Sequence, residues 1–184
     1  RMTEPKEIFS EIENEIECGL LAGRKVLITA GPTQEMIDPV RFISNKSSGK
    51  MGFSLAEEIK NQGAIVTLIS GPVNLDTPDK VKRFDVQSAK EMQSKVEELI
   101  EDCDIFISAA AISDYKPSDT LTEKHKSSDG DLNIKLVRGE DILKTAKLKN
   151  KNMFAVGFSA ETKNIEENAK AKLVSKKIDM IIAN

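Results

Sequence analysis

The chain has 184 residues, of which 39% are hydrophobic and 31% are charged, and its formal net charge at pH 7 is −3. This length suits one large domain or two small ones with a proper core, and the balanced charge gives no argument for a nucleic-acid or anionic-membrane partner. We find no apolar run that approaches a membrane span and no signal peptide. Two isolated cysteines, Cys18 and Cys103, suit a reducing cytoplasm, and a single histidine argues against a structural zinc site.

Residues 1–22 are predicted to form a helix followed by a linker. Pro5 suits a first helical turn, and Ile8, Ile12 and Ile16 recur at a spacing that places them on one face. The opening residues have no partner sequence before them. We therefore interpret this segment as the end of an upstream domain in a longer polypeptide.

Lys25–Ala30 is apolar and partly β-branched, and it is predicted as the first strand. About seventeen residues then precede a helix that begins at Ser48, with Met51, Leu55 and Ile59 predicted on its apolar face. Connections between a strand and the next helix usually have about 2–6 residues. A connection this long, at the carboxyl end of a strand, is more typical of a functional loop than of a simple link.

The rest of the chain alternates between apolar strands and amphipathic helices. Strands are predicted at residues 64–70, 81–86, 104–111, 132–137, 153–158 and 178–183, and helices at residues 89–101, 141–149 and 165–176. The polar run 116–131 is predicted to be an exposed, mobile loop. This alternation predicts an α/β fold with a doubly wound, mostly parallel sheet in a Rossmann-like three-layer αβα arrangement.

The segment Ser47–Gly52 carries the strongest functional signal. Ser47 and Ser48 are candidate N-caps, and the N–H groups and positive dipole end of the following helix, together with Lys50, predict a phosphate site. The segment is not a P-loop, because Ser44 stands where the first glycine should be, and it is not a dinucleotide fingerprint, because no strand directly precedes it. The alternative interpretation is a glycine-rich helix start that packs tightly on the sheet.

Several segments, in a consistent order, resemble phosphopantothenate–cysteine ligases. They are Thr29–Thr33, Ile37–Asn45, Ser47–Gly52, Ala109–Ala111, Asp114-Tyr115, Glu123-Lys124, Val156–Thr162 and Asp179–Asn184. The resemblance covers about residues 24–184 and implies that residues 23–184 form a nucleotide-dependent ligase domain, C-terminally incomplete because the family continues further. The opening Arg1-Met2 resembles the end of the FMN-dependent decarboxylase that is fused upstream in bacterial bifunctional enzymes.

The resemblance implies a reaction that joins 4′-phosphopantothenate to L-cysteine in coenzyme A biosynthesis, with CTP and Mg²⁺. The substrate carboxylate attacks the α-phosphate of CTP, pyrophosphate leaves, and the cysteine amine then displaces CMP from the acyl-cytidylate. This chemistry needs no protein nucleophile, but it needs two anions to be neutralised and aligned. The family also implies a homodimer, with FMN only in the upstream decarboxylase domain.

The resemblance assigns roles to particular residues. Asn45 is implied to hold the acyl intermediate, Lys124 to close over the nucleotide, and Arg41 to clamp the phosphate of phosphopantothenate. Contacts to the substrate or intermediate are implied for Ala109 and Ala110, and nucleotide contacts for Gly31, Ser47, Gly49, Gly52, Ser108, Asp114, Phe158, Lys172, Lys176 and Asn184. No residue is assigned to Mg²⁺, which commonly rides on substrate phosphates with few protein ligands.

Each role has a plain structural alternative. These are a helix-entry turn for Asn45, a surface ion pair with Asp38 or Glu35 for Arg41, a solvated charge run for Lys124, a core aromatic for Phe158, and an exposed basic face for Lys172 and Lys176. Two other functions also stay open, a nicotinamide-dependent Rossmann oxidoreductase and a non-catalytic nucleotide-binding module. The oxidoreductase would need a complete G-x-G-x-x-G after the first strand and an acidic residue ending the second.

Overall fold

A computed structural model describes residue 5 and residues 19–126, 128, 130–159 and 164–183. Most of the predicted N-terminal helix, with its isoleucine stripe, lies outside the described residues. The same is true of Cys18, of Ala160–Thr162 and of Asn184.

Helices and strands follow the predicted alternation. The strands are β1 (Lys25–Ala30), β2 (Gln34–Met36), β3 (Phe42–Ser44), β4 (Ile65–Ser70), β5 (Lys82–Asp85), β6 (Ile105–Ser108), β7 (Tyr115–Pro117), β8 (Leu136–Arg138), β9 (Phe154–Ser159) and β10 (Met180–Ala183). The helices are α1 (Lys50–Asn61), α2 (Ala89–Leu99, followed by a 3₁₀ turn at Ile100–Asp102), α3 (Ile142–Lys149) and α4 (Ile165–Lys176).

The central sheet has the strand order β5-β4-β1-β6-β9-β10, and every neighbouring pair is parallel. This confirms the doubly wound parallel sheet. The first strand in the chain lies in the middle of the sheet, and the order reverses between β1 and β6. That pair is the topological switch point, and ligands of such folds bind beyond the carboxyl ends of the strands there.

Alternate residues of each strand feed two separate cores. Leu27 and Phe106 point towards the face covered by α2, α3 and α4, whereas Ile28 and Val66 point towards the face covered by α1. Both faces of a parallel sheet are buried by crossover helices, so its strands are apolar throughout. Burying one such side chain contributes about 1.5–3 kcal/mol.

Helix α1 differs from the prediction in its cap and in its buried face. Its N-cap is Gly49 in the left-handed conformation, with φ of 77°, and not Ser47 or Ser48. Met51 is 59% exposed, and the fully buried positions are Gly52, Phe53 and Ala56. Leu55 and Ile59 are partly buried against the same core, as predicted, so the prediction of the apolar face is wrong only for Met51.

Two short antiparallel ribbons lie outside the central sheet. β2 pairs with β3 inside the stretch that we predicted as one long loop, and β7 pairs with β8 at the ends of the polar run. The strand predicted at 132–137 is therefore a strand only at Leu136–Arg138. The strand predicted at 104–111 ends at Ser108. We call the two ribbons, with residues 118–135 between β7 and β8, the flap. No helix among the described residues is long and apolar enough to cross a membrane.

Candidate functional site

The carboxyl ends of β1 and β6 stay paired beyond the strands themselves. The N–H of Ala109 donates to the carbonyl of Thr29 at 3.1 Å, and the N–H of Ala111 donates to the carbonyl of Gly31 at 2.8 Å. Thr33 then donates to the carbonyl of Ala111. The structure thus brings Gly31, Ser108, Ala109 and Ala110 together at the switch point, as expected for residues at the ends of adjacent parallel strands.

The two alanines use their N–H groups inside the protein. Ala109 donates to the backbone oxygen of Thr29, and Ala110 donates to the Oγ1 of the same threonine at 3.4 Å. A ligand at this edge would therefore meet other atoms of the two residues, such as their carbonyl oxygens or their small side chains. Thr29 itself is fully buried.

The glycines of the Ser47–Gly52 segment are needed for packing. A Cβ on Gly49 would lie 2.9 Å from Cγ1 of Val73 and 3.4 Å from Cα of Gly31, and a Cβ on Gly52 would lie only 2.5 Å from Cβ of Ala30. The packing interpretation is thus confirmed for these glycines. This packing occupies only the inner side of the turn. Anion binding on the outer side stays a prediction.

The start of α1 retains the features that favour an anion. The Oγ of Ser47 accepts from the N–H of Gly49 at 3.2 Å, which orders the turn before the helix. The N–H groups of Met51 and Gly52 lie in the first turn, where they have no acceptor within the helix. Lys50 is exposed beside them, and the positive end of the helix dipole points the same way.

Asn45 links the β2–β3 ribbon to the chain that follows β6. Its Nδ2 donates to the carbonyl of Ile112 at 2.9 Å, while the neighbouring Ser44 donates from Oγ to the carbonyl of Thr33 at 2.7 Å. The side chain of Asn45 therefore reaches across the switch point instead of capping the helix entry. The same nitrogen carries a second N–H, which is the group that could donate to an acyl oxygen.

A buried carboxylate holds the other side of the ribbon. Glu35 is only 6% exposed, and its Oε1 accepts from the N–H of Ala89 at 2.9 Å, in the first turn of α2. An acidic group is favourable at a helix N-terminus because of the helix dipole. Glu35, at α2, and Asn45, beyond β6, thus both anchor the ribbon near the Gln34–Ser44 end of its ladder.

Arg41 forms an ion pair with Asp38, which was its structural alternative. The distance from the guanidinium NH2 to Asp38 Oδ2 is 2.6 Å, and the carboxylate is fully buried. Burial raises the pKa of Asp38, but hydrogen bonds from the Val40 N–H and from the N–H and guanidinium of Arg41 outweigh it and lower the pKa to about 2. Asp38 is therefore ionised at neutral pH.

The loop that carries Lys124 lies on the β2–β3 ribbon. The N–H of Leu121 donates to the carbonyl of Ile37 at 2.9 Å, and Thr120 donates from Oγ1 to the carbonyl of Met36 at 3.2 Å. Lys124 is exposed and directly precedes His125. Exposure is confirmed for residues 118–124 of the predicted run, whereas Pro117 is buried in β7. Specific hydrogen bonds attach the exposed part to the ribbon.

Phe158 lies on β9, and Lys172 and Lys176 lie on α4. Phe158 is half-buried beside Ala109 in the core under α1. Lys172 donates to the buried Oγ of Ser159 at 2.9 Å, and Lys176 lies 3.0 Å from the Oδ2 of Asp141, the N-cap of α3. The two lysines are therefore engaged at the carboxyl end of β9 and at the start of α3, and the interpretation of a merely exposed basic face is wrong.

Asp114 is exposed just beyond the switch point. Its backbone oxygen accepts from the N–H of Gly139, so its position is fixed even though its carboxylate faces solvent. Asn184, the last predicted nucleotide contact, lies outside the described residues. In the described part of the chain, no group of three or more Asp, Glu, His or Cys side chains is arranged to hold a metal ion.

A cleft of about 280 Å³ lies between α2 and the flap. It is lined by Ala89, Lys90, Gln93, Ser94, Glu97, Ser113, Lys116, Gly139 and Glu140. None of the predicted site residues lines it. Gly31, Ser108, Ala109, Ala110 and Phe158 lie instead at the carboxyl ends of β1, β6 and β9, while Arg41 and Lys124 lie on the flap.

A protein-family model matches most of the chain. The family described as the DNA/pantothenate metabolism flavoprotein C-terminal domain matches residues 21–184. The chain belongs to this family. The resemblance noted in the sequence is thereby confirmed over almost the same range.

Two curated relatives of the chain are bifunctional proteins. The chain is 50% identical to the coenzyme A biosynthesis bifunctional protein CoaBC of Vibrio cholerae, over 100% of this chain and 47% of that protein. It is 46% identical to CoaBC of Bacillus subtilis, over 100% of this chain and 46% of that protein. The chain thus spans about half the length of the curated relatives it matches.

Solved structures agree with this assignment. The crystal structure of the C-terminal domain of CoaBC is 44% identical, has a TM-score of 0.80, and covers 89% of this chain and 78% of that one. The DNA/pantothenate metabolism flavoprotein from Streptococcus pneumoniae is 26% identical with a TM-score of 0.77, over 88% of this chain and 82% of that one. The family comparison and the structural comparison therefore cover largely the same part of the chain and agree with each other.

The sequence analysis did not identify the buried polar side chains that hold the flap in place. Thr33 is fully buried and its Oγ1 accepts from the N–H of Ser113, while Glu35 and Asp38 are the buried carboxylates described above. In the sequence they look like ordinary polar loop residues. The feature that could have revealed them is the frequency of Thr, Glu and Asp in a loop that is too long to be a simple connection between a strand and a helix.

Proposed function

We propose that this chain is the ligase part of a bifunctional coenzyme A biosynthesis protein and joins 4′-phosphopantothenate to L-cysteine. In the first step a carboxylate oxygen of phosphopantothenate attacks the α-phosphorus of CTP, and pyrophosphate leaves. In the second step the amine of L-cysteine attacks the acyl carbon of the cytidylate, loses a proton, and CMP leaves with the electrons of the broken C–O bond. A homodimer and a fused or associated FMN-dependent decarboxylase are part of the proposal.

The observation that carries the proposal is the contact of Asn45 with Ile112 at the switch point. It places an uncharged amide donor at the edge where β1, β6 and the start of α1 meet. Membership of the family and similarity to CoaBC proteins favour the same activity. When the cysteine amine attacks the acyl carbon, the developing oxyanion is stabilised by a hydrogen bond from such a donor and destabilised by any further negative charge nearby.

We assign a different proposed role to each group of residues along this edge. The start of α1 and the Gly31–Gly49 contact would receive the triphosphate, with Lys50 nearby. Lys124 would neutralise charge on the nucleotide during attack. Asn45 would donate to the acyl oxygen, and Arg41, through the part of its guanidinium that is exposed, would face the phosphate of phosphopantothenate.

Magnesium fits this arrangement as a companion of the nucleotide. The described residues offer no acidic cluster to cage it, so the metal would be held mainly by phosphate oxygens. When bound there, it supplies neutralisation of the triphosphate charge. Alignment of the reacting groups stays with the protein side chains.

The first test is pyrophosphate release from CTP with phosphopantothenate and without L-cysteine. The proposal expects release of about one equivalent per site under these conditions, followed by continuous turnover when cysteine is added. Binding of CTP without any release would favour a non-catalytic nucleotide-binding module. ATP in place of CTP tests the nucleotide preference in the same assay.

The second test is Lys124→Gln. Because Lys124 is exposed, removing its charge should leave the melting temperature within about 2 °C of the parent while slowing pyrophosphate release by about 10²-fold or more. Lys126→Gln, on the same run, is the matched control and should stay close to the parent rate. A large loss of melting temperature with normal activity would make Lys124 a structural residue.

A nicotinamide-dependent oxidoreductase is the second candidate, because the strand order is that of dinucleotide-binding folds. However, the turn after β1 is Gly31-Pro32-Thr33, and β4 ends at Ser70 where an acidic residue would be needed. Thermal shift with CTP, ATP and NADPH in the presence of Mg²⁺ separates the two. Stabilisation by NADPH alone would reject the ligase.

A further inference from the structure

The guanidinium of Arg41 contacts two parts of the flap at once. Its Nε donates to Oδ2 of Asp38 at 2.8 Å, and its NH2 donates to the backbone carbonyl of His125 at 2.6 Å. The two acceptors are far apart in sequence, in the β2–β3 ribbon and in the loop after β7. Arg41 is therefore a bridge between these segments and not only a surface ion pair.

Asp38 fixes the orientation of this bridge. One of its oxygens accepts from the N–H groups of Val40 and Arg41, both at 2.8 Å, and the other accepts from the guanidinium. Since the carboxylate is fully buried, its position is set by the ribbon itself. Because the guanidinium is planar and Asp38 holds one of its edges, the direction of its remaining N–H groups is fixed.

His125 is the residue next to Lys124. A hydrogen bond to the carbonyl of His125 therefore restricts the backbone immediately after the lysine that we propose to act on the nucleotide. The hydrogen bonds from Leu121 and Thr120 fix the other side of the same loop, three to four positions before the lysine. Lys124 thus lies between two attachments to one ribbon.

We propose that Arg41, oriented by Asp38, is a positioning residue for Lys124. It acts through the carbonyl of His125 and holds the lysine's loop on the ribbon that also carries Asn45. The proposal goes beyond a substrate-phosphate contact for Arg41, because it makes Arg41 affect the nucleotide step as well. Its kinetic part rests on the proposed ligase function, and its structural part does not.

Arg41→Lys is the decisive variant. A lysine keeps the positive charge, but a single ammonium cannot reproduce a planar fork that binds Asp38 with one edge and His125 with another. Arg138→Lys is the matched control, because Arg138 is an exposed arginine on the same flap, in β8. Asp38→Asn tests the orientation of the bridge separately, as it removes the charge that holds the guanidinium.

The structural readout is hydrogen exchange of a peptide that spans residues 118–126, in the full chain without ligand. Arg41→Lys and Asp38→Asn should each speed exchange there about tenfold or more, whereas Arg138→Lys and the exchange of β1 should not change. Unchanged protection in Arg41→Lys would overturn the proposal. This outcome does not depend on any ligase activity.

The kinetic readout is a double-mutant cycle on pyrophosphate release at saturating phosphopantothenate. If Arg41 acts through Lys124, Arg41→Lys should slow release about tenfold in the parent and less than threefold in the Lys124→Gln background. Equal effects in both backgrounds would overturn it. An effect confined to the KM for phosphopantothenate would leave Arg41 as a phosphate contact only. Faster exchange of the loop in a protein that releases no pyrophosphate would sink the proposed function and leave the bridge standing.

Discussion

The central sheet and the flap are built by different forces. β1, β4 and β6 are almost entirely buried and apolar, so the hydrophobic effect fixes their positions over many contacts. The flap has strands of only three residues and is attached by a few polar contacts, from Glu35, Asp38 and Arg41 among others. The sheet therefore provides stability, while the flap carries the side chains for which we propose roles in catalysis.

This difference teaches how the two regions respond to substitution. In the sheet, lost volume or an added methyl group should change the free energy of unfolding. In the flap, lost hydrogen bonds should change activity more than stability, because each polar contact contributes about 0.5–1.5 kcal/mol net. The following predictions can sharpen or break this contrast, in order of decreasing effect.

Phe106→Ala should have the largest effect on stability. Phe106 is fully buried in the core under α2 and α3, so truncation should cost about 3–5 kcal/mol in the free energy of unfolding. Phe42→Ala, in β3 of the flap and 45% exposed, is the matched control and should cost about 1 kcal/mol or less. Urea unfolding measures both. Similar losses for the two phenylalanines would contradict the contrast.

Asn45→Asp should lower turnover by about 10²–10³-fold, with nucleotide binding retained. The carboxylate would add negative charge beside an anionic centre and would no longer donate to the carbonyl of Ile112. Ligation rate and CTP-dependent thermal shift together separate the two effects. Asn152→Asp, at an exposed position far from the flap, is the control. A normal ligation rate in Asn45→Asp would remove this residue from the mechanism.

Gly52→Ala should destabilise the protein by about 1–3 kcal/mol, although alanine is the better helix former. The new methyl group would lie 2.5 Å from Cβ of Ala30, so α1 would have to move away from β1. Gly139→Ala, directly after β8, would meet its nearest atoms at ordinary distances of 3.5 Å or more. The control should thus change thermal unfolding little. A gain in melting temperature for Gly52→Ala would show that α1 is packed less tightly than described.

The smallest expected effect is acid sensitivity of the flap. The folded-state pKa of Asp38 is lowered to about 2 from an ordinary value of 3.8, so its stabilising contribution is present above the ordinary value. It should be lost as the pH falls from about 4 through 2. Exchange or proteolysis of the flap measured over this range should show the loss. Asp38→Asn should make the exchange or proteolysis of the flap less dependent on pH over this range. If the variant and the parent have the same pH profile, the acid sensitivity of the flap comes from other carboxylates.

The fold was predictable because its signals are long-range and repetitive. β1, β4, β9 and the helices between them have continuous apolar runs or a clear helical period, and each lies close to its predicted bounds in the structure. The β2–β3 ribbon was not predictable in this way, because three-residue strands are too short to show a period. The N-cap of α1 was missed because Gly49 replaces a side-chain cap by a left-handed backbone.

The site was predictable in its location and only partly in its contacts. Strand ends such as Gly31 and Ala109 fall on one edge by topology alone. The bridge from Arg41 to His125 and the reach of Asn45 to Ile112 join residues more than sixty positions apart, and no local pattern encodes them. The individual roles of these residues in catalysis stay predictions.

Cys103 has a consequence for a protein proposed to handle free cysteine. Burial raises the pKa of this thiol to about 11, and its Sγ donates to the carbonyl of Ile105. At neutral pH it stays protonated and so is a poor nucleophile towards disulfides. Cystine or oxidised cofactor in the cell should not form a mixed disulfide at this position. A thiol-specific reagent added during turnover would therefore react with substrate and product before it reacts with Cys103.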